Sequence, residues 1–313
     1  MMAETLLESK SRELYLSYEK LRASHEQLEK INKVLQEKQQ QFLEKQEQFL
    51  ELNTRHDIVT HDLRLAAGLQ EQILPDPKRY GEYEARGLSK PAMYVAGDIY
   101  DCFRLSDSVM AFYIADVTGH GPAAAMVSYS IHKQLNPRIG GLCLTHFNEN
   151  EDLADAVVGT VANLNNEYAV LKGESHYFTL IYGLLHFGSG RMCFTQAGHP
   201  PPIHCSPTRQ QTQEIGGGGF PVGMFENLEY TSYECMLERG DSFYLYSDGI
   251  TECFSPDNEE YGKSRLCAVL DDVKNASVID ALQAVDDNIT QWNDSSVFYD
   301  DVSILAIKRH EFS

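Results

Sequence analysis

The chain has 313 residues and a mass of 35.3 kDa, enough for two ordinary domains or for one domain with an appendage. Its 26 basic and 46 acidic side chains give a net charge of −20, which opposes binding to a phosphate backbone, so we expect no nucleic-acid partner. The sequence has neither an apolar run long enough to cross a bilayer nor a signal-peptide pattern, so we expect no membrane span and a cytoplasmic location. Seven scattered cysteines without a CxxC pair fit a reducing compartment better than a disulfide framework.

Residues 1–74 are predicted to form a helical regulatory segment. They contain no Pro and no Gly before Gly68, and helix-forming Glu, Gln, Lys and Leu predominate. One apolar stripe repeats every seven residues, whereas the second stripe of a coiled coil is mixed with polar residues; the regular stripe is Leu14, Leu21, Leu28, Leu35, Phe42 and Phe49. The pattern predicts one long helix or two, which either pair as a modest parallel homodimeric coiled coil or dock elsewhere.

A second domain is predicted to begin after Pro75 and Pro77 interrupt the helix, and to cover residues 75–313. Runs rich in aromatic and β-branched residues predict strands at 92–95, 102–105, 109–117, 177–186, 191–196, 232–237, 241–246 and 302–308. Helices are predicted at 122–135, 151–171, 263–270 and 278–290. Because the strands come in neighbouring pairs, we expect an α+β fold in which helices cover antiparallel sheets.

Carboxylates recur at the ends of the predicted strands. They are Asp98, Asp101, Asp116, Asp248, Asp300 and Asp301. Each one alone is typical of a strand-terminal turn, but several that converge would repel one another unless a cation lies between them. Oxygen ligands without a Cys or His cluster favour Mg²⁺ or Mn²⁺. Two such ions, about 3.5–4 Å apart, can activate a water for attack on phosphorus.

Five motifs follow one another along the chain: AGDIYD (96–101), ADVTGHGPAAAM (115–126), QAGHPPP (196–202), YSDGITE (246–252) and DDVSIL (300–305). In this order they resemble the SpoIIE/RsbU branch of the metal-dependent type 2C (PPM) serine/threonine phosphatases. The resemblance covers residues 63–308, including LQEQILPDP (69–77), which is similar to the helix and turn that lead into that domain. It implies an αββα sandwich of two antiparallel sheets flanked by helices. It also implies a phosphoprotein phosphatase, a phosphoric monoester hydrolase that uses a metal-activated water and forms no covalent intermediate.

The same resemblance implies catalytic and metal-binding residues and two Mn²⁺ or Mg²⁺ ions as cofactors. The implied set is Asp98, Asp116, Val117, Asp248 and Asp300, with Asp101 as a support or as a ligand of a weaker third ion. Asp116 would bridge both ions, and the backbone carbonyl of Val117 would bind one of them. Asp98 would bind directly or through a water. The phosphate-holding Arg that eukaryotic relatives carry early in the domain has no obvious counterpart in this sequence.

The resemblance also implies a substrate and partners. The substrate would be phosphoserine or phosphothreonine on a bacterial signalling protein, a phosphorylated STAS-domain anti-sigma-factor antagonist or a similar regulator of sigma factors. We expect any sensor to be a separate protein, and the N-terminal helix to transmit its signal into residues 69–77.

Two other functions stay open at the level of sequence. The first is a histidine kinase or histidine-phosphotransfer protein, because His61 begins a short stretch that faintly resembles the phosphoacceptor box of a histidine kinase. No Asn-rich ATP-binding box follows, however. The second alternative is a non-catalytic PPM-like scaffold. His120 and His199 either donate a proton to a leaving group or stabilise their loops.

Overall fold

The computed structural model describes residues 2–119, 121–149, 152–169, 177–294 and 298–311. The chain divides into two compact units, Met1–Asp62 and Leu63–Ser313. The predicted N-terminal helix is one helix, α1 (Met2–Glu71), which begins in the first unit and ends in the second. The domain boundary after residue 74, which we infer from the two prolines, stays a prediction.

The described part of the first unit is residues 2–62 of α1, and the side chains from Thr5 to Val59 are exposed. All six residues of the seven-residue stripe are more than half exposed, from 53% at Leu28 to 73% at Leu14. Ion pairs between residues four apart lie along the helix surface, such as Arg55 with Glu51 at 2.7 Å. Each stabilises the helix by a few tenths of a kcal/mol. No helix in the part of the chain that the structure describes is both long and apolar enough to span a membrane.

The described residues of the second unit form eleven strands and six helices beyond α1. The strands are β1 (Lys78–Tyr80), β2 (Tyr83–Lys90), β3 (Ile99–Arg104), β4 (Val109–Val117), β5 (Phe178–His186), β6 (Arg191–Ala197), β7 (Ile203–Cys205), β8 (Gln213–Glu214), β9 (Ser232–Met236), β10 (Ser242–Tyr246) and β11 (Val302–Arg309). The helices are α2 (Pro122–Leu135), α3 (Leu142–Thr145), α4 (Leu153–Ala169), α5 (Asp248–Thr251), α6 (Gly262–Asp272) and α7 (Val278–Asn293).

The strands form two sheets, and every pair of neighbouring strands is antiparallel. One sheet has the order β1-β2-β11-β10-β7-β8, and the other has the order β3-β4-β5-β6-β9. Apolar side chains pack between the sheets, including Phe112, Phe194 and Phe243. Helices α2 and α4 cover the outer face of the five-stranded sheet, and α6 and α7 cover that of the six-stranded sheet. The predicted αββα sandwich is therefore confirmed.

Strand β4 shows how the sequence produces these layers. Side chains alternate between the two faces of a strand. Ala111 and Tyr113 accordingly pack toward the helices, while Phe112 and Ile114 pack between the sheets. A strand buried on both faces reads as a continuous apolar run, which is why the bounds of β4 could be predicted from sequence.

Two parts of the strand prediction are wrong. The strand predicted at 92–95 is a series of bends, because the backbone N–H groups of Ala92, Ala96 and Gly97 donate to the side chains of Asp301 and Gln70 rather than to a neighbouring strand. Strands β1, β2, β7 and β8 were not predicted, since they are short or rich in charged residues. The ends of the helix predicted at 151–171 lie outside the described residues.

Candidate metal and active site

Asp98 and Asp116 lie opposite each other at one end of the five-stranded sheet. Ile99 at the start of β3 pairs with Ala115 of β4, so the same register places Asp98 opposite Asp116. Asp116 alternates with Ile114 and therefore faces the other sheet. Asp98, immediately before β3, and Asp116, the penultimate residue of β4, therefore lie side by side at the same end of the sheet.

Asp248 and Asp300 occupy the corresponding end of the six-stranded sheet. The N–H of Ser247 donates to the carbonyl of Ser303 at 2.9 Å, which extends the β10–β11 ladder to the residue before Asp248. Gly249 follows Asp248 in α5, and a Cβ added there would lie 2.1 Å from the carbonyl oxygen of Asp301. The turn that carries Asp248 and the turn that carries Asp300 are therefore in direct backbone contact.

Asp301 connects the two sheets at this point. Its carboxylate accepts from the N–H of Ala92 at 2.7 Å and from the N–H of Gly97 at 2.5 Å, immediately before Asp98. Its carbonyl accepts from the hydroxyl of Ser247 at 3.2 Å. The segment that carries Asp98 is in this way held against the segments that carry Asp248 and Asp300.

The electrostatics of the cluster agree with this proximity. Burial raises the pKa of Asp116 to about 7, with further contributions from Asp248 and Asp300. Burial also raises the pKa of Asp248 to about 6, helped by the nearby charges of Glu252 and Asp300. The pKa of the buried Asp98 is raised by desolvation and then by the charge of Asp116. Carboxylates from four separate stretches of chain thus act on one another, at a cost that a cation would remove.

Asp98 provides the test of whether a cation fits here. Both of its carboxylate oxygens are buried and accept no hydrogen bond of good geometry. The hydroxyls of Ser247 and Ser303 lower its pKa, but the hydroxyl of Ser247 donates to a backbone carbonyl and that of Ser303 to Ser89. Buried polar atoms in native proteins nearly always have a partner. An oxygen-only set with an unpartnered buried carboxylate fits Mg²⁺ or Mn²⁺.

The tightest group of three metal-ligating side chains among the described residues lies elsewhere, at Asp152, Cys193 and Glu234. There Arg191 already pairs with both carboxylates. The Asp98 cluster is more open than that triad. Ions that retain several of their waters do not require three carboxylates to converge on one point, so the open arrangement is compatible with a hydrated pair of ions.

Val117 and Asp101, the other two predicted site residues, differ in their position relative to the carboxylate cluster. Val117 ends β4, and its carbonyl lies 3.1 Å from the position that a Cβ on Gly97 would take, beside Asp98. Asp101 lies apart from the cluster: its carboxylate pairs with Lys78 at 3.1 Å and faces His132 at 3.8 Å. Burial raises the pKa of Asp101, and Lys78 opposes that shift. The structure therefore brings Asp98, Asp116, Asp248 and Asp300 together but not Asp101.

The structure describes two of the three histidines that the sequence singles out, His61 and His199. His199 is buried, its Nδ1 lies 2.7 Å from the hydroxyl of Thr179, and burial lowers its pKa to about 3. The loop is held through Gln196, which donates to the His199 carbonyl and accepts from the N–H groups of Gly217 and Gly218. His61 is exposed on α1. His120 lies outside the described residues.

Sequence reasoning missed Gln70 as part of the site. Its side-chain amide makes two hydrogen bonds with the backbone of Ala96: Nε2 donates to the carbonyl at 2.7 Å, and Oε1 accepts from the N–H at 2.8 Å. A cavity of about 60 Å³ lies beside these groups and is lined by Gln70, Ala96 and Asp98. The end of α1 is thus attached to the segment that positions Asp98.

Known proteins resemble this chain over most of its length. Residues 106–310 match the family described as stage II sporulation protein E (SpoIIE). Protein IcfG of Synechocystis sp. is 27% identical over 252 residues, which are 76% of this chain and 39% of IcfG. Phosphoserine phosphatase RsbU of Bacillus subtilis is 23% identical over 252 residues, 80% of this chain and 71% of RsbU.

The fold has solved counterparts as well. The SiaA-PP2C domain of Pseudomonas aeruginosa superposes with a TM-score of 0.64 at 20% identity, and the match covers 81% of this chain and 98% of that domain. At this identity the likeness establishes the αββα fold, which carries the carboxylates described above. Since the family match covers about two thirds of the sequence, the chain belongs to the SpoIIE family.

Proposed function

We propose that this chain is a metal-dependent protein serine/threonine phosphatase. The observation that carries the proposal is the buried carboxylate of Asp98, which has no hydrogen-bond partner and lies in a cluster with Asp116, Asp248 and Asp300. The name of the relative RsbU, a phosphoserine phosphatase, supports the choice of reaction.

In this proposal the four carboxylates hold two Mn²⁺ or Mg²⁺ ions, and the carbonyl of Val117 contributes one further oxygen. When bound, the ions lower the pKa of a water and neutralise the charge of the phosphoryl group. The chain itself positions the ligands: Asp301 connects the two sheets, and Gln70 holds Ala96. His199 keeps a structural role, since a ring whose pKa is about 3 is neutral at pH 7 and has no imidazolium proton to donate. We assign Asp101 to a partly buried ion pair with Lys78 rather than to a third ion.

Hydrolysis of a phosphoserine peptide, measured with Mn²⁺ and after chelation, tests the proposal. We expect phosphate release with Mn²⁺, its loss on chelation and its return when Mn²⁺ is added again. Full activity in the chelator would contradict a metal-dependent mechanism. No activity with any divalent ion, for a protein that remains folded, would favour the non-catalytic scaffold.

We further propose a phosphorylated STAS-domain regulator of sigma factors as the substrate, and the bacterial cytoplasm as the location. A higher kcat/KM for such a phosphoprotein than for a peptide with its phosphorylation-site sequence would support this, and equal values would contradict it. The seven free thiols are compatible with a reducing compartment.

The exposed stripe on α1 supports homodimerisation through the first unit, with a separate sensor protein acting on the dimer. Six large apolar side chains at seven-residue spacing are exposed along this helix. Burial against a second copy would remove them from water, and a stripe of this spacing favours a supercoiled pair. A monomeric mass by light scattering at micromolar concentration would contradict the dimer.

The contact between Gln70 and Ala96 gives the signal a route into the site, and Gln70→Ala tests it. Losing two hydrogen bonds of about 1 kcal/mol each should loosen the segment before Asp98. We expect the Mn²⁺ concentration for half-maximal activity to rise about tenfold. Gln72→Ala, at an exposed position just beyond the end of α1, is the matched control. Equal Mn²⁺ midpoints for both variants would exclude this route.

A further inference from the structure

A groove leads away from the carboxylate cluster at Asp300. Its inner part, a cavity of about 130 Å³, is lined by Asp300 together with Glu252, Phe254 and Tyr299. It continues into an outer depression of about 740 Å³, which shares Phe254 and Tyr299 and adds Asp294. We call this continuous feature the Tyr299 groove. Because Asp300 is one of its walls, a chain whose phosphoserine lies at the cluster has its neighbouring residues at the mouth of the groove.

The walls of the groove combine aromatic rings with negative charge. The side chain of Tyr299 is 87% exposed, which is unusual for an aromatic residue. Glu252, Asp294 and Asp300 are exposed carboxylates, and no Lys or Arg is among the described residues that line the groove. The nearby Arg265 is already engaged, since it lies 3.9 Å from the ring centre of Trp292 and donates to a backbone carbonyl at 2.8 Å.

An exposed ring beside carboxylates is the arrangement that binds a basic side chain, through cation–π attraction and ion pairing together. The chain contains one such contact behind the inner wall, where Lys90 lies 5.6 Å from the ring centre of Phe298 and pairs with Asp286. In the outer part of the groove, Tyr299 and Asp294 offer the same two elements to another molecule. The net charge of −20 on the whole chain repels a nucleic acid but attracts a cationic peptide.

We propose that the Tyr299 groove binds the stretch of the phosphoprotein next to its phosphoserine and selects a substrate with a Lys or Arg a few residues from that position. This inference rests on the proposed phosphatase function, because only then does a phosphoserine lie at Asp300. The basic side chain lies against the Tyr299 ring and pairs with Asp294, while the substrate backbone follows the groove as an extended strand.

A peptide series in which one Lys replaces Ala at successive positions on either side of the phosphoserine tests the inference. With Mn²⁺ present, kcat/KM is measured for each peptide and divided by the value for the all-Ala peptide. We expect this ratio to reach about tenfold at one or two adjacent positions, mainly through KM, and to fall as salt is added. Because the ratio is taken within one protein preparation, a partly folded variant does not distort it.

Substitutions in the groove test which side chains cause the preference for a Lys near the phosphoserine. Tyr299→Ala and Asp294→Asn should each reduce the ratio at least threefold, whereas Tyr299→Phe, which keeps the ring, should preserve it. Tyr18→Ala, at a Tyr exposed on α1, is the matched control. A ratio near one at every position, or a preference that survives both substitutions, overturns the inference while leaving the phosphatase intact. Hydrolysis of none of the peptides overturns the proposed function and the groove assignment together.

Discussion

Asp248→Asn is expected to lower phosphoserine hydrolysis at saturating Mn²⁺ at least about a hundredfold, and to raise the thermal midpoint of the metal-free protein. The two effects have one cause. The carboxylate of Asp248 lies near Glu252 and Asp300 in a partly buried cluster, where burial and like charges raise its pKa to about 6. The substitution removes like-charge repulsion from the metal-free protein, and it also removes a carboxylate that we propose as a metal ligand.

Initial rates and thermal unfolding, each with and without Mn²⁺, measure both effects. In the unsubstituted protein, Mn²⁺ at a hundred times its Kd should stabilise the fold by about 2.7 kcal/mol. Most of that gain should be absent in Asp248→Asn. Asp107→Asn, which removes a charge from an exposed turn, should change neither property. If Asp248→Asn kept its activity and its Mn²⁺-dependent stabilisation, Asp248 would be an ordinary turn residue.

Gly249→Ala is the second substitution from which we expect a large effect, although it changes no charge and adds only a methyl group. The new Cβ would lie 2.1 Å from the carbonyl oxygen of Asp301, which belongs to the backbone and cannot rotate away. The turn at residues 300–301 must therefore move. Overpacking of this kind costs about 1–3 kcal/mol in stability. It should also displace Asp300 from Asp248, so phosphatase activity should fall more than tenfold.

Gly68→Ala is the control for this substitution. Gly68 lies inside α1, and a Cβ there meets no atom within 4 Å. Replacing a helical Gly by Ala at an open position stabilises by about 0.5–1 kcal/mol. Urea unfolding of both variants should therefore show opposite changes in midpoint. A Gly249→Ala protein as stable and as active as the unsubstituted chain would mean that the turn at residues 300–301 adapts freely.

The strands and helices that could be predicted well are those in which one physical rule dominates. β4 (Val109–Val117) was predicted with its observed bounds because it is buried on both faces and therefore continuously apolar. α2 (Pro122–Leu135) was predicted equally well because Pro favours the first turn of a helix and apolar residues follow at helical spacing. β2 was missed, since the alternation in its sequence YEARGLSK lasts only four residues and the strand pairs along its whole length with β11.

The residues of the site also differ in whether a local sequence pattern reveals them. Asp98, Asp116, Asp248 and Asp300 could be proposed from the sequence, because an Asp at a strand end is visible as a local pattern. Asp301 and Gln70 were not recognised as connecting residues. The hydrogen bond of Asp301 to Gly97 joins residues 204 positions apart, and that of Gln70 to Ala96 joins residues 26 apart. No periodicity in the sequence marks such partners. Asp101 lies in a local pattern that matches the family motif, but its carboxylate pairs with Lys78 instead of joining the cluster.

The double attachment of Asp301 has a mechanical consequence. Its side chain is hydrogen-bonded to the loop before β3, and its main chain leads directly into β11. This one residue therefore resists sliding of the two sheets past each other. A slip of either layer by a fraction of an ångström would change the spacing between Asp98 and Asp300 before it disturbed the apolar interior. Catalysis should accordingly fail under hydrostatic pressure or mild denaturant while the protein still shows its native circular dichroism.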